Sequence, residues 1–209
     1  MSGALDLLQQ GAGTILGRDL APDESVSFRK YLDLLLKWQR VHRLVGSARP
    51  EWIVENLFLD SLLFLKVLPA HVASVVDVGS GAGFPGIPIK IVRGPLAVCL
   101  LESRERRVSF LSAAIRELGL PSLSVFGGRA ESVPASMRAR YGAAVTRGAG
   151  DPTEVMPVAA RLVRPGGVVI CSGPPAPRPL AVGAWLEVDG FRVGSVRRFA
   201  VHTVAPEGV

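Results

Sequence analysis

The chain has 209 residues, which suits one domain of ordinary size with a short appendage and is cramped for two separate cores. Hydrophobic residues make up 48% of it, yet charge, Gly or Pro breaks every apolar run before the roughly 18 to 20 residues that a bilayer-spanning helix requires, which excludes such a helix. Lys and Arg number 24 against 18 acids, a formal charge of +6 carried mostly by arginine, and this favours a polyanionic partner.

Taken in chain order, the opening MSGALDLLQQ lacks a basic cluster and reads as a helix start rather than a secretory signal, so the expected location is the cytoplasm. Phe28, Tyr31, Leu32, Leu35 and Trp38 then recur at steps of three and four, the apolar stripe of an amphipathic helix, with Lys30, Asp33, Lys37 and Arg40 on another face. The stretch from Pro50 to Leu68 is apolar nearly all round and is expected to lie between layers. Residues 1–70 are accordingly predicted to form a helical extension packed on a main domain of residues 71–209.

From Ser74 the rhythm changes to short β-branched runs: SVVDV (74–78), LAVCLL (96–101), SLSVF (122–126), GAAVT (142–146) and GVVIC (167–171). Such uniformly apolar runs fit buried parallel strands. Val108, Leu111, Ile115 and Leu118 mark a helix that stops at Gly119, the residue best suited to a left-handed C-terminal cap. The alternation predicts an open, doubly wound α/β sheet with helices on both faces. WLEV (185–188) and VRRFAVHTV (196–204) have no helix between them and are expected to form an antiparallel hairpin at the sheet edge. Cys99 and Cys171 sit inside strand-like runs and read as buried, reduced thiols. His42, His71 and His202 lie far apart without Cys or paired carboxylates at ligand spacing, so no metal site is expected.

The most informative stretch is VVDVGSGAGFPGIP (75–88), where the first strand meets a helix. In a doubly wound sheet ligands bind beyond the carboxyl ends of the strands, at the switch in strand order. Gly79, Gly81 and Gly83 remove Cβ atoms from that turn and allow close approach to the backbone. Asp77 is expected at the mouth of the site, where it would favour a cationic methionine amine over a pyrophosphate. Twenty-three positions after Gly79, Glu102 ends the second strand and can accept hydrogen bonds from ribose hydroxyls. Gly81 to Gly86 also fits GxGxxG, so the pattern alone leaves NAD open. The acid before the glycines, Pro85 and Pro88 at the helix start, and the lack of a dehydrogenase's catalytic set favour S-adenosylmethionine.

LLLKW (34–38), LDSL (59–62), DVGSGAGFPGIP (77–88), LLESRERRVSFL (100–111), GRAE (128–131) and TR (146–147), in this order and spacing, resemble the bacterial small-subunit ribosomal RNA methyltransferase G family, also called glucose-inhibited division protein B. The resemblance spans about residues 28–173. It implies a Rossmann-like class I methyltransferase fold and N7 methylation of a guanine in small-subunit (16S) ribosomal RNA. It further implies that Gly79 and Phe84 line the methionine and ribose part of the pocket, that Glu102 holds the ribose, that Ala130 and Glu131 flank the adenine, and that Arg147 closes the site. Where the family carries Asn, Thr, His and Lys, this chain has Arg43, Val45, Leu57 and Ser172, and Gly148 follows Arg147 in place of Ala. These departures fall mostly outside the cofactor motifs and bear on the substrate rather than the cofactor.

Methyl transfer to guanine N7 attacks with a free lone pair, so no general base is named and no catalytic residue is expected beyond those that align the reactants. Lys37, Arg40, Arg43, Arg104, Arg106, Arg107, Arg138 and Arg140 are expected to flank one mouth and hold ribosomal RNA or the small subunit, with the enzyme acting as a monomer. Two other readings stay open: a methyltransferase for a small molecule or protein, and a nucleoside- or NAD-binding protein without methyl transfer.

Overall fold

The computed structural model describes residues 2–205. It opens with two helices, α1 (Ser2–Leu16) and α2 (Pro22–Gln39). Local chemistry fixes the start of α2: Pro22 fits the first turn, and the Glu24 carboxylate reaches back to accept the Ala21 N–H at 2.8 Å. The same carboxylate grips both terminal nitrogens of Arg18 at 2.7 and 2.8 Å, tying the end of α1 to α2. Phe28, Tyr31, Leu32 and Leu35 are fully buried, as their spacing predicts, and Trp38 packs edge-on against Phe110.

The apolar stretch after Pro50 does lie within the core, but it is not one regular helix. It runs as α3 (Pro50–Ile53), a π-wound segment (Val54–Leu59), α4 (Asp60–Leu62) and a 3₁₀ turn (Leu63–Lys66). Ile53, Val54, Phe58, Leu59, Leu62 and Phe64 are wholly buried. A π segment commonly marks a functional constraint, and the side chains it re-aims bear on the site below.

Seven strands form one sheet: β1 (Ser74–Val78), β2 (Ala97–Glu102), β3 (Leu123–Gly127), β4 (Tyr141–Thr146), β5 (Val163–Ser172), β6 (Ala184–Asp189) and β7 (Val196–Thr203), in the order β3-β2-β1-β4-β5-β7-β6. The first five are parallel; β7 runs antiparallel to both β5 and β6, so the C-terminal hairpin forms the edge as expected. The switch in order falls between β1 and β4. Strand β5 begins earlier than its apolar run, because Val163 pairs with Tyr141 before a register shift restores pairing at Val168.

Helices α5 (Gly86–Val92), α6 (Glu105–Leu118) and α7 (Pro152–Ala160) complete the crossovers. Gly119 caps α6 with φ +60°. The buried face of α6 is Phe110, Leu111, Ala114 and Leu118, whereas Val108 and Ile115 are half-buried, so the helix is rotated from the stripe read in sequence. Lys90 on α5 is fully buried; burial lowers its pKa, and its Nζ donates to the carbonyls of Leu96 (2.7 Å) and Gly94, closing the α5–β2 connection.

The sheet separates two apolar layers. On one face, residues of α1, α2 and the Pro50–Lys66 stretch share a continuous core with Val75, Val98, Leu100, Val145 and Ile170, together with α5 and α6. On the other face, Val76, Val78, Cys99, Leu101 and Cys171 pack with Met156 and Ala159 of α7. Both cysteines are free and buried, and burial pushes the Cys171 thiol up to about 12, so it stays protonated. No helix among the described residues is long and apolar enough to cross a membrane.

Candidate functional site

The turn from β1 to α5 sits at the carboxyl end of the sheet, beside the β1/β4 switch. Its three glycines have positive φ, +71° at Gly79, +60° at Gly81 and +98° at Gly83, which an L side chain adopts only under strain. Their surroundings differ. A Cβ on Gly83 would lie 2.4 Å from Ile87 Cδ1 and 2.7 Å from the Tyr31 hydroxyl, so that glycine serves protein packing. A Cβ on Gly81 would meet nothing nearer than Arg107 Nη1 at 3.7 Å, so that glycine faces open space. The Phe84–Pro85 peptide is cis.

Two acids brace this turn. Glu102, almost buried at the end of β2, accepts from Gly81 N at 2.9 Å through Oε2 and from Arg104 N at 2.8 Å through Oε1, with Arg107 Nη1 at 3.6 Å. Asp77 does not stand at the mouth. It is fully buried, because strand alternation aims it into the α5 layer, and its Oδ2 accepts the Gly86 N–H at 2.8 Å. Oδ1 has no partner, and burial pushes the carboxyl up to about 7 against the Gly86 N–H that favours its charge. The expectation of an exposed charge greeting a methionine amine is corrected on that ground.

Hollows open on both sides of the turn and meet at Gly79. The first, about 280 Å³, is lined by Val78, Leu101, Ser103 and Gly128 at the strand ends, with Ala130, Glu131 and Glu154 around its rim. Ala130 and Glu131 belong to a short 3₁₀ turn, Ala130–Ser132, that follows β3. The second, about 470 Å³, lies on the side of the N-terminal helices, between Gly81, Ala82 and Phe84 and the guanidinium groups of Arg107, Arg147 and Arg197. Phe84 is both wall and core, since its ring packs 5.5 Å from Tyr31 and 5.9 Å from Phe58.

Arg147 stands at the carboxyl end of β4 in the second hollow. Its Nε donates to Asp60 Oδ2 at 2.7 Å and its Nη2 to the Asn56 carbonyl at 2.6 Å. Arg197, from β7, approaches the other oxygen of Asp60 at 2.9 Å, although Nε is not aligned for a hydrogen bond, and its Nη1 donates to the Gly173 carbonyl at 2.9 Å. Sequence alone drew attention to Asp60 without giving it a role, and it missed Arg197; a lone arginine in a strand carries no signal of a partner so far away in the chain. Gln39 was missed as well. Its side-chain amide holds the loop after α2, accepting from Leu44 N and Val45 N at 2.8 and 3.0 Å and donating to Val45 O at 2.8 Å. Leu44, Val45 and Gly46 thereby become a wall of the second hollow.

The basic residues divide between the two ends of the sheet. Arg104, Arg106 and Arg107 follow β2 and lie at the carboxyl end of the parallel strands, as does Arg147 after β4. Lys37, Arg40 and Arg43 lie at the end of α2 and in the loop held by Gln39. Arg138 and Arg140 precede β4, and the backbone N–H of Arg140 donates to Leu162 O where β5 begins, so these two sit at the opposite end. Their expected place at the mouth is corrected: residues before a parallel strand occupy the far end from residues after it. Among the described residues, no group of three or more His, Cys, Asp and Glu could hold a metal ion.

A family model described as rRNA small subunit methyltransferase G matches residues 24–172. The chain is similar to the Ribosomal RNA small subunit methyltransferase G of Desulforamulus reducens, 42% identical over 115 residues, covering 54% of this chain and 48% of the relative. It is also similar to the protein of the same name from Clostridium botulinum strain Loch Maree, 32% identical over 180 residues, covering 84% and 75%. The matched region thus spans about half the length of the first of these relatives. Among solved structures, a SAM-dependent methyltransferase from Aquifex aeolicus superposes with a TM-score of 0.54 at 17% identity, covering 74% of this chain and 93% of that one, a likeness of fold.

Proposed function

The chain belongs to the rRNA small subunit methyltransferase G family, and from that premise we propose that it is an S-adenosylmethionine-dependent methyltransferase acting on N7 of a guanine in small-subunit (16S) ribosomal RNA. The observation that carries the proposal is the pair of hollows meeting at Gly79: one suits a nucleoside, and the other suits a base with its phosphates. The first has the chemistry for the cofactor's adenosine: apolar strand ends for the ring, and the backbone of Ala130 with the carboxylate of Glu131 for its polar edge. Glu102 lines neither hollow, but its carboxylate, bonded to Gly81 N, lies beside the turn where ribose hydroxyls would approach. Gly81 leaves its backbone open to the methionine end, on the side where Phe84 and Arg147 line the second hollow.

When bound, S-adenosylmethionine would supply an electrophilic methyl group on a sulfonium. The residues of the chain align the acceptor. Leu44, Val45, Leu57 and Phe84 offer apolar surface to a flat base, while Arg107, Arg147 and Arg197 add positive charge for the phosphates beside it. N7 presents a lone pair without losing a proton first, so alignment and exclusion of water serve where a general base would otherwise be required. Exposed Arg40, Arg43, Arg104 and Arg106 extend the positive field outward from this mouth. The same reading has the protein working in the cytoplasm as a monomer on ribosomal RNA or the small subunit.

One observation favours a second reading, the same chemistry on another acceptor. Val45, Leu57, Gly148 and Ser172, four positions where the chain departs from the family's pattern, all line the second hollow, and none lines the first. Incubation with methyl-labelled cofactor and, in parallel, undermethylated small subunits, naked ribosomal RNA and small metabolites tests both. Label in a guanine of the RNA supports the first reading, and label only in a small molecule supports the second.

A further inference from the structure

Tyr31 lies on α2, in the N-terminal helical layer, yet it reaches the turn that the proposed cofactor would touch. It is wholly buried, and its hydroxyl donates to the carbonyl oxygen of Ala82. Ala82 and Phe84 flank Gly83, whose missing Cβ leaves room for that same hydroxyl, 2.7 Å from where the Cβ would be. The fit is mutual: the turn is shaped to admit the tyrosine, and the tyrosine supplies a partner for a backbone carbonyl of the turn.

The ring carries the connection further. It stacks on Phe58 at 5.2 Å with the planes 9° apart and lies 5.5 Å from Phe84. Phe58 belongs to the π segment, whose Asn56 carbonyl and adjoining Asp60 carboxylate hold Arg147. One buried side chain therefore contacts the glycine turn directly and, through Phe58, the segment that fixes the guanidinium opposite. A general base is not among its roles, because burial raises its pKa well above the ordinary tyrosine value and its proton is already committed to Ala82.

We propose that Tyr31 is a positioning residue for methyl transfer, setting the shape of the 79–84 turn from the helical layer rather than from the sheet. The inference rests on the methyltransferase reading for its consequence, not for its geometry. It distinguishes two kinds of binding: loss of the hydroxyl affects the cofactor, bound against the turn, and spares RNA held by surface arginines.

Tyr31→Phe is the test, with Leu118→Ala as a control that loses core packing at the far end of α6. Hydrogen exchange reads the turn without any ligand, since the amides of Gly83 and Phe84 are bonded to Ser80 O at 2.8 and 2.9 Å. Tyr31→Phe is expected to speed exchange at these amides and to raise both Kd and KM for S-adenosylmethionine about three- to tenfold, with KM for RNA within about twofold of wild type. Leu118→Ala is expected to lower the thermal midpoint without either effect. Unchanged exchange in Tyr31→Phe, or an equal change in the control, overturns the proposal. A wild-type protein that fails to bind S-adenosylmethionine would sink the methyltransferase reading, while the exchange comparison would still decide the role of Tyr31.

Discussion

Asp60 and Arg147 stand 87 positions apart and meet in a 2.7 Å ion pair, the carboxylate lying between the guanidinium groups of Arg147 and Arg197. One acid thus orders two cations that would otherwise repel each other on the wall of the second hollow. The arrangement leaves an excess positive charge facing the cavity, which suits a phosphate-bearing substrate.

Asp60→Asn should therefore act on both stability and turnover. Loss of the charge-assisted bonds is expected to cost about 1–3 kcal/mol of folding stability, measured by chemical denaturation. Turnover with RNA should fall further than this loss explains, because Arg147 is released from its orientation. Turnover equal to wild type under conditions where the variant is fully folded would show that the pair is only structural.

The contrast between Gly81 and Gly83 gives a prediction without charge. Gly83→Ala places a Cβ into Ile87 and Tyr31 at positive φ, and is expected to destabilise the fold by at least about 2 kcal/mol. Gly81→Ala has room, so its cost is limited to left-handed backbone strain of about 1–2 kcal/mol, while the added methyl stands where the cofactor would lie. Thermal unfolding and calorimetric titration with S-adenosylmethionine should separate the two, stability failing first in one and affinity in the other.

For Glu102 the expected effect is on cofactor binding. One oxygen already holds the turn at Gly81 N and the other the start of α6 at Arg104 N, and the ribose would share them. Glu102→Ala should weaken S-adenosylmethionine binding by about 1–3 kcal/mol, and calorimetry showing undiminished affinity would remove the assignment.

Asp77 makes stability depend on pH in a defined direction. Its carboxyl is pushed up from 3.8 to about 7 in the folded protein by burial, so between those values the folded state keeps a proton that the unfolded chain has released. Stability from this group is present in full below the unfolded value and falls as pH rises towards 7, at up to about 1.4 kcal/mol per pH unit, then levels off. Asp77→Asn retains an acceptor for Gly86 N and should lack this slope. The difference between wild type and variant, followed by denaturation from pH 4 to 8, gives the comparison; parallel curves would contradict the assignment.

RNA affinity should fall steeply with salt, and the slope should depend on which end of the sheet loses charge. Arg40→Ala and Arg106→Ala are each expected to reduce the slope, whereas Arg138→Ala and Arg140→Ala leave it unchanged because they sit at the opposite end. Filter binding of a ribosomal RNA fragment across a salt series reads this directly, and equal effects from both groups would refute a single binding mouth.

Much of the architecture follows from local pattern. Strands β1 to β4 fall within a residue or two of their apolar runs, Gly119 ends α6 by the conformation only glycine adopts readily, and the glycine turn lies where a strand yields to a helix. Each depends on neighbours close in the chain, where periodicity and backbone sterics act. The far-end position of Arg138 and Arg140, and the inward aim of Asp77, were also implicit in strand direction and alternation, although the charge pattern pointed elsewhere.

What folding alone decided is which distant groups meet. Nothing in local sequence joins Tyr31 to Ala82, or Asp60 to Arg147 and Arg197, because those contacts arise only when the helical layer, the turn and the edge hairpin close around one cavity. Short-range sterics and burial, legible in local sequence, set the frame and the turn. Tertiary packing determined the charge and shape of the pocket, since both depend on side chains that the chain brings together only at full collapse.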